Sequence, residues 1–314
     1  MEYRLLGNTG LTVSRYCFGS LTMGPLGANL SPEQGTALLL SAFELGVNFI
    51  DTAEYYRNYA HIRLALQQYK KPESIIISSK TLAPDDRSAA FAVEEARLAL
   101  NRDILDIFLL HEIRNRSDFE SRSGAWQVLR DAKKNGVIKN IGISSHSAAV
   151  VAAAAVDPEI DVIHCMLNFA GVGILDGGVE DMLAAIALAK ANGKGVYTMK
   201  AIGGGSLMNQ AKKALTWAFA QPLPDAVAVG CKDKTELLTN LGWLHGEDPP
   251  EAEQCRMLSR RLIFDDCHAC GACVKRCANG ALTLSEDGAV WHEEKCLFCG
   301  YCAAACPWFC ISFA

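Results

Sequence analysis

Short apolar runs alternate with longer amphipathic stretches along residues 1–245. The runs are rich in branched side chains and lack the polar face of a half-exposed sheet, which is typical of parallel strands buried on both faces. We predict strands at Tyr16–Gly19, Val47–Asp51, Ser74–Lys80, Ile107–His111, Asn140–Ser144, Val162–Leu167, Gly195–Met199 and Ala226–Val229.

The stretches between these strands repeat apolar residues at helical spacing, so we predict helices there. One helix covers Ala89–Leu100, and a second covers Phe119–Asn135 with Gly136 as its C-terminal cap. A third helix ends at Gly193. Strands and helices therefore alternate along this part of the chain.

Eight strand–helix units within about 250 residues predict an α/β fold, the (β/α)8 TIM barrel. The turn Gly7–Gly10, with sequence GNTG, predicts a hairpin before the first unit, because glycine and asparagine tolerate positive φ. An open doubly wound sheet is the alternative fold. However, the segment after the first strand, FGSLTMG, lacks the glycine spacing of a dinucleotide-binding turn.

The charge balance of the chain is mildly acidic. Its 314 residues carry a formal net charge of −5, which argues against nucleic acid as a partner. The sequence has no basic cluster and no long uncharged apolar segment, so we expect neither a membrane span nor a membrane anchor. The N-terminus lacks the pattern of a secretory signal, so we expect the chain in the reducing cytoplasm.

An acidic segment with two prolines, GEDPPEAEQ at residues 246–254, divides the chain. We expect a barrel domain at 1–245, a linker at 246–262 and a small α+β domain at 263–314. Most of the 13 cysteines lie in the last domain. The others are scattered, as small buried side chains are; they are Cys17, Cys165, Cys231 and Cys255.

The C-terminal domain carries the same four-cysteine ladder twice, C-x-x-C-x-x-C-x-x-x-C. Two-residue gaps let three thiolates converge on one compact cluster, and the longer third gap turns the fourth cysteine toward another cluster. Zinc is the alternative ligand, although four-cysteine zinc sites usually pair two C-x-x-C knuckles. Disulfides are disfavoured in a reducing compartment. The first ladder is Cys267, Cys270, Cys273 and Cys277, and the second is Cys296, Cys299, Cys302 and Cys306.

Together the two ladders resemble a bacterial two-cluster ferredoxin. The resemblance implies two [4Fe–4S] clusters with crossed ligation, in which the fourth cysteine of each ladder binds the cluster of the other ladder. Cys310 has no place in this scheme, and Ala278 stands where the pattern usually has proline. The first cluster would be held by Cys267, Cys270, Cys273 and Cys306, and the second by Cys296, Cys299, Cys302 and Cys277.

Polar residues stand at the C-terminal ends of three predicted strands of the barrel, namely Asp51, Lys80 and His111, and Tyr56 lies in the loop after the first of them. Barrel enzymes build their active sites on this rim. A carboxylate and an ammonium that are buried there would neutralise each other. We therefore expect these four side chains to form one site.

The barrel half of the sequence resembles the aldo/keto reductase family. The resemblance rests on the opening hairpin, the D-T-A-E-Y-Y segment, the lysine and histidine at strand ends, and the G-I-S-S-H segment at the fifth strand. It implies a catalytic tetrad in which Tyr56 protonates the carbonyl oxygen and His111 hydrogen-bonds it. Lys80 would lower the pKa of the Tyr56 phenol, and Asp51 would orient Lys80.

The same resemblance implies a nicotinamide coenzyme, either NADP(H) or NAD(H). Lys232 would meet a 2′-phosphate. Glu236 stands where many members have an arginine, and it would repel that phosphate or accept from a ribose hydroxyl. Both coenzymes therefore stay open. The implied contact residues are Ser144, Ser145, His164, Met199, Gly230, Lys232, Glu236 and Asn240.

Two functions are compatible with these two halves. The first is an aldo/keto reductase-type oxidoreductase that interconverts a small carbonyl compound and its alcohol, with clusters that exchange electrons with a redox partner protein. The alternative is an iron–sulfur electron-transfer subunit in which the barrel is a docking scaffold. Saturable nicotinamide binding separates the two, because only the first requires it.

Overall fold

The computed structural model describes residues 1–253, 262–264, 267–297, 299–307 and 310–313. The chain opens with the predicted hairpin, in which β1 (Tyr3–Leu5) pairs with β2 (Thr12–Ser14) in antiparallel fashion. The turn of this hairpin lies against the foot of the barrel: a Cβ on Gly7 would stand 2.2 Å from the backbone nitrogen of Gly195. Only glycine fits this approach, and the hairpin covers the end of the barrel opposite the predicted site.

Parallel strands close into a barrel in the order β10-β3-β4-β5-β6-β7-β8-β9. Nearly every side chain along them is buried, which explains the uniformly apolar runs of the sequence. The predicted TIM barrel is confirmed, and the predicted strand bounds agree to within two residues. The strands are β3 (Tyr16–Gly19), β4 (Phe49–Asp51), β5 (Ile76–Thr81), β6 (Leu105–Ile113), β7 (Ile138–Ser145), β8 (Val162–Met166), β9 (Gly195–Met199) and β10 (Ala226–Val229).

Helices surround the barrel and pack their apolar faces against it. The first begins at a capping box, in which the Ser31 hydroxyl accepts from the Gln34 amide and the Gln34 side chain accepts from the Ser31 amide. Within the described ranges, no helix has the length and apolar character needed to cross a bilayer. The helices are α1 (Pro32–Glu44), α2 (Tyr59–Gln68), α3 (Asp86–Leu100), α4 (Arg116–Ser121), α5 (Ser123–Lys134), α6 (Ala148–Val156), α7 (Val179–Ala191), α8 (Ala211–Ala220) and α9 (Lys234–Leu244).

The single helix predicted over Phe119–Asn135 is wrong, because the chain forms α4 and α5 with a break at Arg122. The break turns the buried Arg122 guanidinium toward the barrel. There it donates hydrogen bonds to the carbonyl oxygens of Ala83, His111 and Thr81, at 3.0, 2.9 and 2.9 Å. These bonds hold the ends of β5 and β6 at the rim of the barrel mouth. The spacing of apolar residues along a helix does not predict such bonds, so the break at Arg122 could not be predicted from it.

The C-terminal domain, called the tail below, is small and α+β. β11 (Leu262–Phe264) pairs with β14 (Ile311–Phe313), and β12 (Leu282–Ser285) pairs with β13 (Gly288–Trp291). Two short helices, α10 (Ala272–Arg276) and α11 (Tyr301–Ala305), pack together between the sheets. Leu262, which we expected as the last linker residue, belongs to this pairing. Residues 254–261 of the predicted linker, with Cys255, lie outside the described residues.

Candidate active site at the barrel mouth

A buried ion pair forms the floor of the mouth. The Lys80 ammonium lies 2.7 and 2.8 Å from the two carboxylate oxygens of Asp51, and 2.6 Å from the carbonyl oxygen of Thr52. Burial lowers the pKa of Lys80 and raises the pKa of Asp51, and the attraction between the two charges opposes both shifts. The pair is therefore a compact, fully hydrogen-bonded unit at the ends of β4 and β5.

Tyr197 is a member of this floor that our sequence analysis missed. Its hydroxyl donates to Asp51 Oδ1 at 2.8 Å and shares a 2.8 Å hydrogen bond with the Ser78 hydroxyl. Its ring stacks on the His164 imidazole with a centroid distance of 3.9 Å. A tyrosine in a strand buried on both faces needs a hydrogen-bond partner for its hydroxyl. That requirement could have indicated from the sequence that Tyr197 contacts a polar residue of the site.

Tyr56 lies above the ion pair, as the sequence predicts. Its ring centroid is 5.0 Å from the Lys80 ammonium. Burial raises the pKa of the Tyr56 phenol well above its usual value, the Asp51 charge raises it further, and a hydrogen bond with Tyr301 lowers it. Burial therefore outweighs the lowering of this pKa that we predicted from Lys80, whose ammonium is already hydrogen-bonded to three oxygen atoms.

His111 completes the predicted tetrad at the end of β6. Its imidazole packs edge-on against the Tyr56 ring, with a centroid distance of 5.7 Å. Burial, followed by the charge of Lys80, holds the pKa of His111 well below its usual value, so the ring is neutral. Its Nε2 lies 3.1 Å from the hydroxyl of Tyr301, which comes from the tail.

An open groove runs from Tyr56 along the barrel rim toward the end of β10. Met199 and Gly230 line the stretch beside Tyr56, Glu236 lies farther along, and Asn240 lines the continuation. His164 also faces this groove. The groove thus collects five of the eight residues for which we predicted coenzyme contacts.

The hydrogen-bonding state of the His164 imidazole shows whether this groove suits a nicotinamide. Neither ring nitrogen makes a hydrogen bond with a described residue, although both are buried. The carboxylate oxygen Oδ1 of Asp51 lies 3.4 Å from Nδ1. Burial lowers the pKa of His164 well below its usual value, so the ring is neutral. A neutral imidazole can donate at one nitrogen and accept at the other, which fits a carboxamide.

The remaining predicted coenzyme contacts are placed less directly. The Ser144 hydroxyl lines the mouth and accepts from the Glu112 amide at 2.8 Å. The Ser145 hydroxyl donates to the Ile113 carbonyl oxygen at 2.6 Å, so it already supports the end of β6. The Lys232 ammonium lies 3.2 Å from Glu236, which weakens it as a partner for a phosphate.

The described cysteines of the tail fall into two groups that mix the ladders. The pKa of Cys302 is raised to about 12, first by burial and then by the neighbouring thiolates of Cys299, Cys296 and Cys277. The pKa of Cys273 is raised by burial and then by thiolates that include those of Cys267 and Cys306. Such repulsion is relieved when thiolates share a cation, so these neighbourhoods fit the crossed ligand sets implied by the ferredoxin resemblance.

Backbone amides point at three cysteine sulfurs of the tail. The Ala281 amide donates to Cys277, the Ala289 amide to Cys267, and the Cys310 amide to Cys306, over distances of 3.3 to 3.4 Å. Such bonds stabilise sulfur that carries negative charge, as a cluster ligand does. No three His, Cys, Asp or Glu side chains among the described residues converge within reach of a single metal ion.

The tail covers the mouth of the barrel through contacts that the sequence does not reveal. The Arg276 guanidinium lies 2.8 Å from the buried carboxylate of Glu112, which has a left-handed backbone with φ of 60°. Leu297 is buried between two loops of the barrel, where a Cβ on Gly204 would lie 1.6 Å from its carbonyl oxygen. Together with the Tyr301 contact, these place the second ladder directly over the predicted tetrad.

The comparisons with known proteins agree with this architecture. The model of the aldo/keto reductase family matches residues 15–251, which is most of the chain. The chain belongs to the aldo/keto reductase family. A model of the 4Fe–4S dicluster domain matches residues 260–307, so the tail is an iron–sulfur domain added to a reductase barrel.

Individual relatives match the barrel. The L-galactose dehydrogenase of Arabidopsis thaliana is 26% identical over 255 residues, which cover 77% of this chain and 78% of that protein. An aldo-keto reductase structure from Pseudomonas aeruginosa is 25% identical and covers 78% of this chain and 94% of that one, with a TM-score of 0.65. The holo form of an aldo-keto reductase from Bacillus halodurans shares the fold at 19% identity, with a TM-score of 0.66 over 82% of this chain and 95% of that one.

Proposed function

We propose that the chain is a nicotinamide-dependent oxidoreductase that interconverts a small carbonyl compound and its alcohol at the barrel mouth. The observation that carries this proposal is the position of Tyr56 over the buried Asp51–Lys80 pair, with His111 packed edge-on against it beside an open groove. Carbonyl reduction needs a hydride at carbon and a proton at oxygen. The mouth offers a phenol for the proton and a groove for the hydride donor.

Each residue of the tetrad has a distinct task in this proposal. Tyr56 holds the proton that passes to the carbonyl oxygen, and neutral His111 donates a hydrogen bond to the same oxygen as negative charge develops. Lys80 supplies positive charge below the Tyr56 ring, and Asp51 fixes its position. Tyr197 holds Asp51 from the other side, so it is a positioning residue rather than a catalytic one.

The groove would hold the coenzyme, which supplies or accepts the hydride when bound. His164 and Ser144 would bind the carboxamide, Met199 would pack on the nicotinamide ring, and Gly230 would let the phosphates approach the backbone. Lys232, Glu236 and Asn240 would contact the adenosine end. Because Lys232 and Glu236 pair with each other, affinities for NADPH and NADH measured side by side will decide the coenzyme.

The tail would hold two [4Fe–4S] clusters for electron exchange with a redox partner protein. Cys270 is exposed, so the first cluster, which it would help to hold, would face solvent. Cys299 packs with Tyr56 and Tyr301, so the second cluster, which it would help to hold, would face the barrel. The donor set is all sulfur, with backbone amides pointing at sulfur, which suits iron–sulfur clusters.

Anaerobically reconstituted protein tests this function by NAD(P)H oxidation with a panel of small aldehydes. Tyr56→Phe should lower kcat at least 100-fold, because it removes the general acid. Tyr55→Phe is the matched control, since it makes the same change one residue away. Turnover by Tyr56→Phe at the parent rate would overturn the assignment of the acid.

A second function is favoured by one observation, the Tyr301 side chain that stands between Tyr56 and His111. In this alternative the chain is an iron–sulfur electron-transfer subunit, and the barrel mouth is only a docking surface for the tail. Calorimetric titration with NADPH and NADH separates the two functions. The absence of saturable binding by either nucleotide would favour the electron-transfer subunit.

A further inference from the structure

The hydroxyl of Tyr301 lies where the proposed reaction needs the oxygen of its substrate. It is 3.1 Å from Nε2 of His111, and its ring packs with Tyr56 in one buried cluster. These are the two groups that would hydrogen-bond a carbonyl oxygen in the proposed mechanism. Tyr301 itself is buried, so no solvent separates it from the tetrad.

The ring of Tyr301 is fixed by neighbours from both domains. The Arg276 guanidinium lies over its face, 4.4 Å from the ring centroid, and Tyr55 meets it edge-on at 4.9 Å. Arg276 is in turn fixed by Glu112, at 2.8 Å. The hydroxyl is therefore held between Tyr56 and His111 by a packed and charged set of contacts rather than by chance proximity.

Tyr301 also belongs to the second ladder. It lies between Cys299 and Cys302, at the start of α11, directly after Gly300 with φ of 80°. A Cβ on Gly300 would lie 3.1 Å from the carbonyl oxygen of Leu26 in the barrel, so the backbone is tightly seated here. A shift of Tyr301 out of the mouth would therefore change the packing of a backbone segment that carries two predicted cluster ligands.

We propose that Tyr301 determines access to the carbonyl site: a substrate oxygen binds by replacing the Tyr301 hydroxyl between Tyr56 and His111, and this exchange changes the surroundings of the second ladder. The inference rests on the proposed function, because it takes Tyr56 and His111 as the oxygen-binding pair. A ligand must compete with an internal group, so its apparent affinity is reduced by the fraction of molecules in which Tyr301 occupies the site.

Calorimetry with benzoate tests the competition, in the presence of saturating oxidised coenzyme. Benzoate presents an oxygen to a phenol and an imidazole, but it cannot accept a hydride. Tyr301→Phe removes the competing hydroxyl and its hydrogen bond to His111, so we expect benzoate to bind about 2- to 12-fold more tightly than in the parent. Tyr55→Phe is the control, with the same atom removed from the ring next to Tyr301, and its affinity should equal that of the parent.

Either of two results with Tyr301→Phe would overturn the inference. Equal benzoate affinity would show that the hydroxyl does not compete. Weaker binding would show that Tyr301 contributes a hydrogen bond to the ligand and stays in place. The double variant Arg276→Gln/Glu112→Gln provides a second test, because it loosens the ring without leaving the buried Glu112 carboxylate unpaired, and it should also tighten benzoate binding. Lys275→Gln, on the exposed side of the same helix, should not.

Electron paramagnetic resonance of the dithionite-reduced protein gives a readout that is independent of turnover. Benzoate should shift the signal of one cluster in the parent protein, and Cys306→Ser, which removes a ligand of the first cluster, should retain that shift. In Tyr301→Phe the shift should be smaller, because fewer contacts hold the ring at the start. Unchanged cluster signals at benzoate concentrations that saturate the calorimetric titration would contradict the link to the ladder.

Variants of the tetrad distinguish failure of this inference from failure of the proposed function. His111→Gln and Tyr56→Phe should both weaken benzoate binding if the two residues form the oxygen site. If neither variant changes the affinity, the carbonyl site itself is misassigned. If both weaken binding while Tyr301→Phe leaves it unchanged, the carbonyl site stands and only the role of Tyr301 is refuted.

Discussion

Removing one partner of the Asp51–Lys80 pair should destabilise the barrel far more than removing both. The two side chains are 6% and 1% exposed, and the ammonium lies within 2.8 Å of both carboxylate oxygens. In Lys80→Met the carboxylate loses its counter-ion in a buried site. We expect a loss of about 3–5 kcal/mol in the free energy of unfolding, and a similar loss in Asp51→Asn.

The double variant Asp51→Asn/Lys80→Met removes both charges while nearly keeping the volumes of the two side chains. We expect its free energy of unfolding to return close to that of the parent, because no unpaired charge is left in the interior. Its carbonyl reduction should remain abolished, since Tyr56 then lacks the positive charge beneath its ring. Stability and activity should therefore separate in this one protein.

Urea titration followed by far-ultraviolet circular dichroism measures the four free energies on reconstituted protein. Arg116→Gln serves as a control, because its ion pair with Glu120 is 90% and 59% exposed, and we expect almost no change. A double variant whose loss equals the sum of the two single losses would refute the reasoning. That result would mean that the two charges do not compensate each other.

Three further predictions concern the docking of the tail, the cluster ligands and the buried histidines. Gly204→Ala should make the tail more sensitive to limited proteolysis, because the new Cβ would lie 1.6 Å from a backbone oxygen of the tail. Gly136→Ala is the control, since Gly136 has the same left-handed backbone and its Cβ would meet nothing within 4 Å. Equal digestion of the two variants would contradict this prediction. Cys306→Ser should remove the first cluster and keep the second, whereas Cys310→Ser should keep both clusters. Iron analysis counts the clusters that remain in each variant. Loss of the second cluster in Cys306→Ser would refute crossed ligation. His146 lines the mouth together with His111, and burial lowers the pKa of His111, His146 and His164 well below 6.5. The unfolded chain therefore binds protons that the native chain does not, and stability should fall as the pH drops below about 6.5. His146→Gln should flatten that slope by about 1.4 kcal/mol per pH unit in chemical denaturation, and an unchanged slope would argue against a neutral buried ring.

The barrel and the ladders could be predicted because both leave regular spacing in the sequence. Apolar runs separated by amphipathic stretches predict a parallel sheet with helices outside it. The first and last residues of a run such as Gly195–Met199 also predict where its strand begins and ends. The positions of Asp51, Lys80 and His111 at strand ends were equally legible, because parallel strands bring their C-terminal ends to one rim. The structure brings all three together with Tyr56.

The docking of the tail on the mouth could not be predicted, because it depends on contacts between residues far apart in the chain. Tyr301 and His111 are separated by 190 positions, and neither spacing nor periodicity links them. The behaviour of Lys80 was missed for a related reason. The sequence shows a lysine near a tyrosine, but not that three oxygen atoms already surround its ammonium.

Glu112 limits how the two domains of this protein can be separated. Its carboxylate is 7% exposed, and the nearest cation from the barrel itself is Arg114, 3.9 Å away, against 2.8 Å for Arg276. A barrel produced without the tail would keep the buried carboxylate of Glu112 but lack Arg276, the cation that neutralises it. Anyone who wishes to study the reductase half by itself should therefore begin from Glu112→Gln, which preserves the shape of the side chain and removes the orphaned charge.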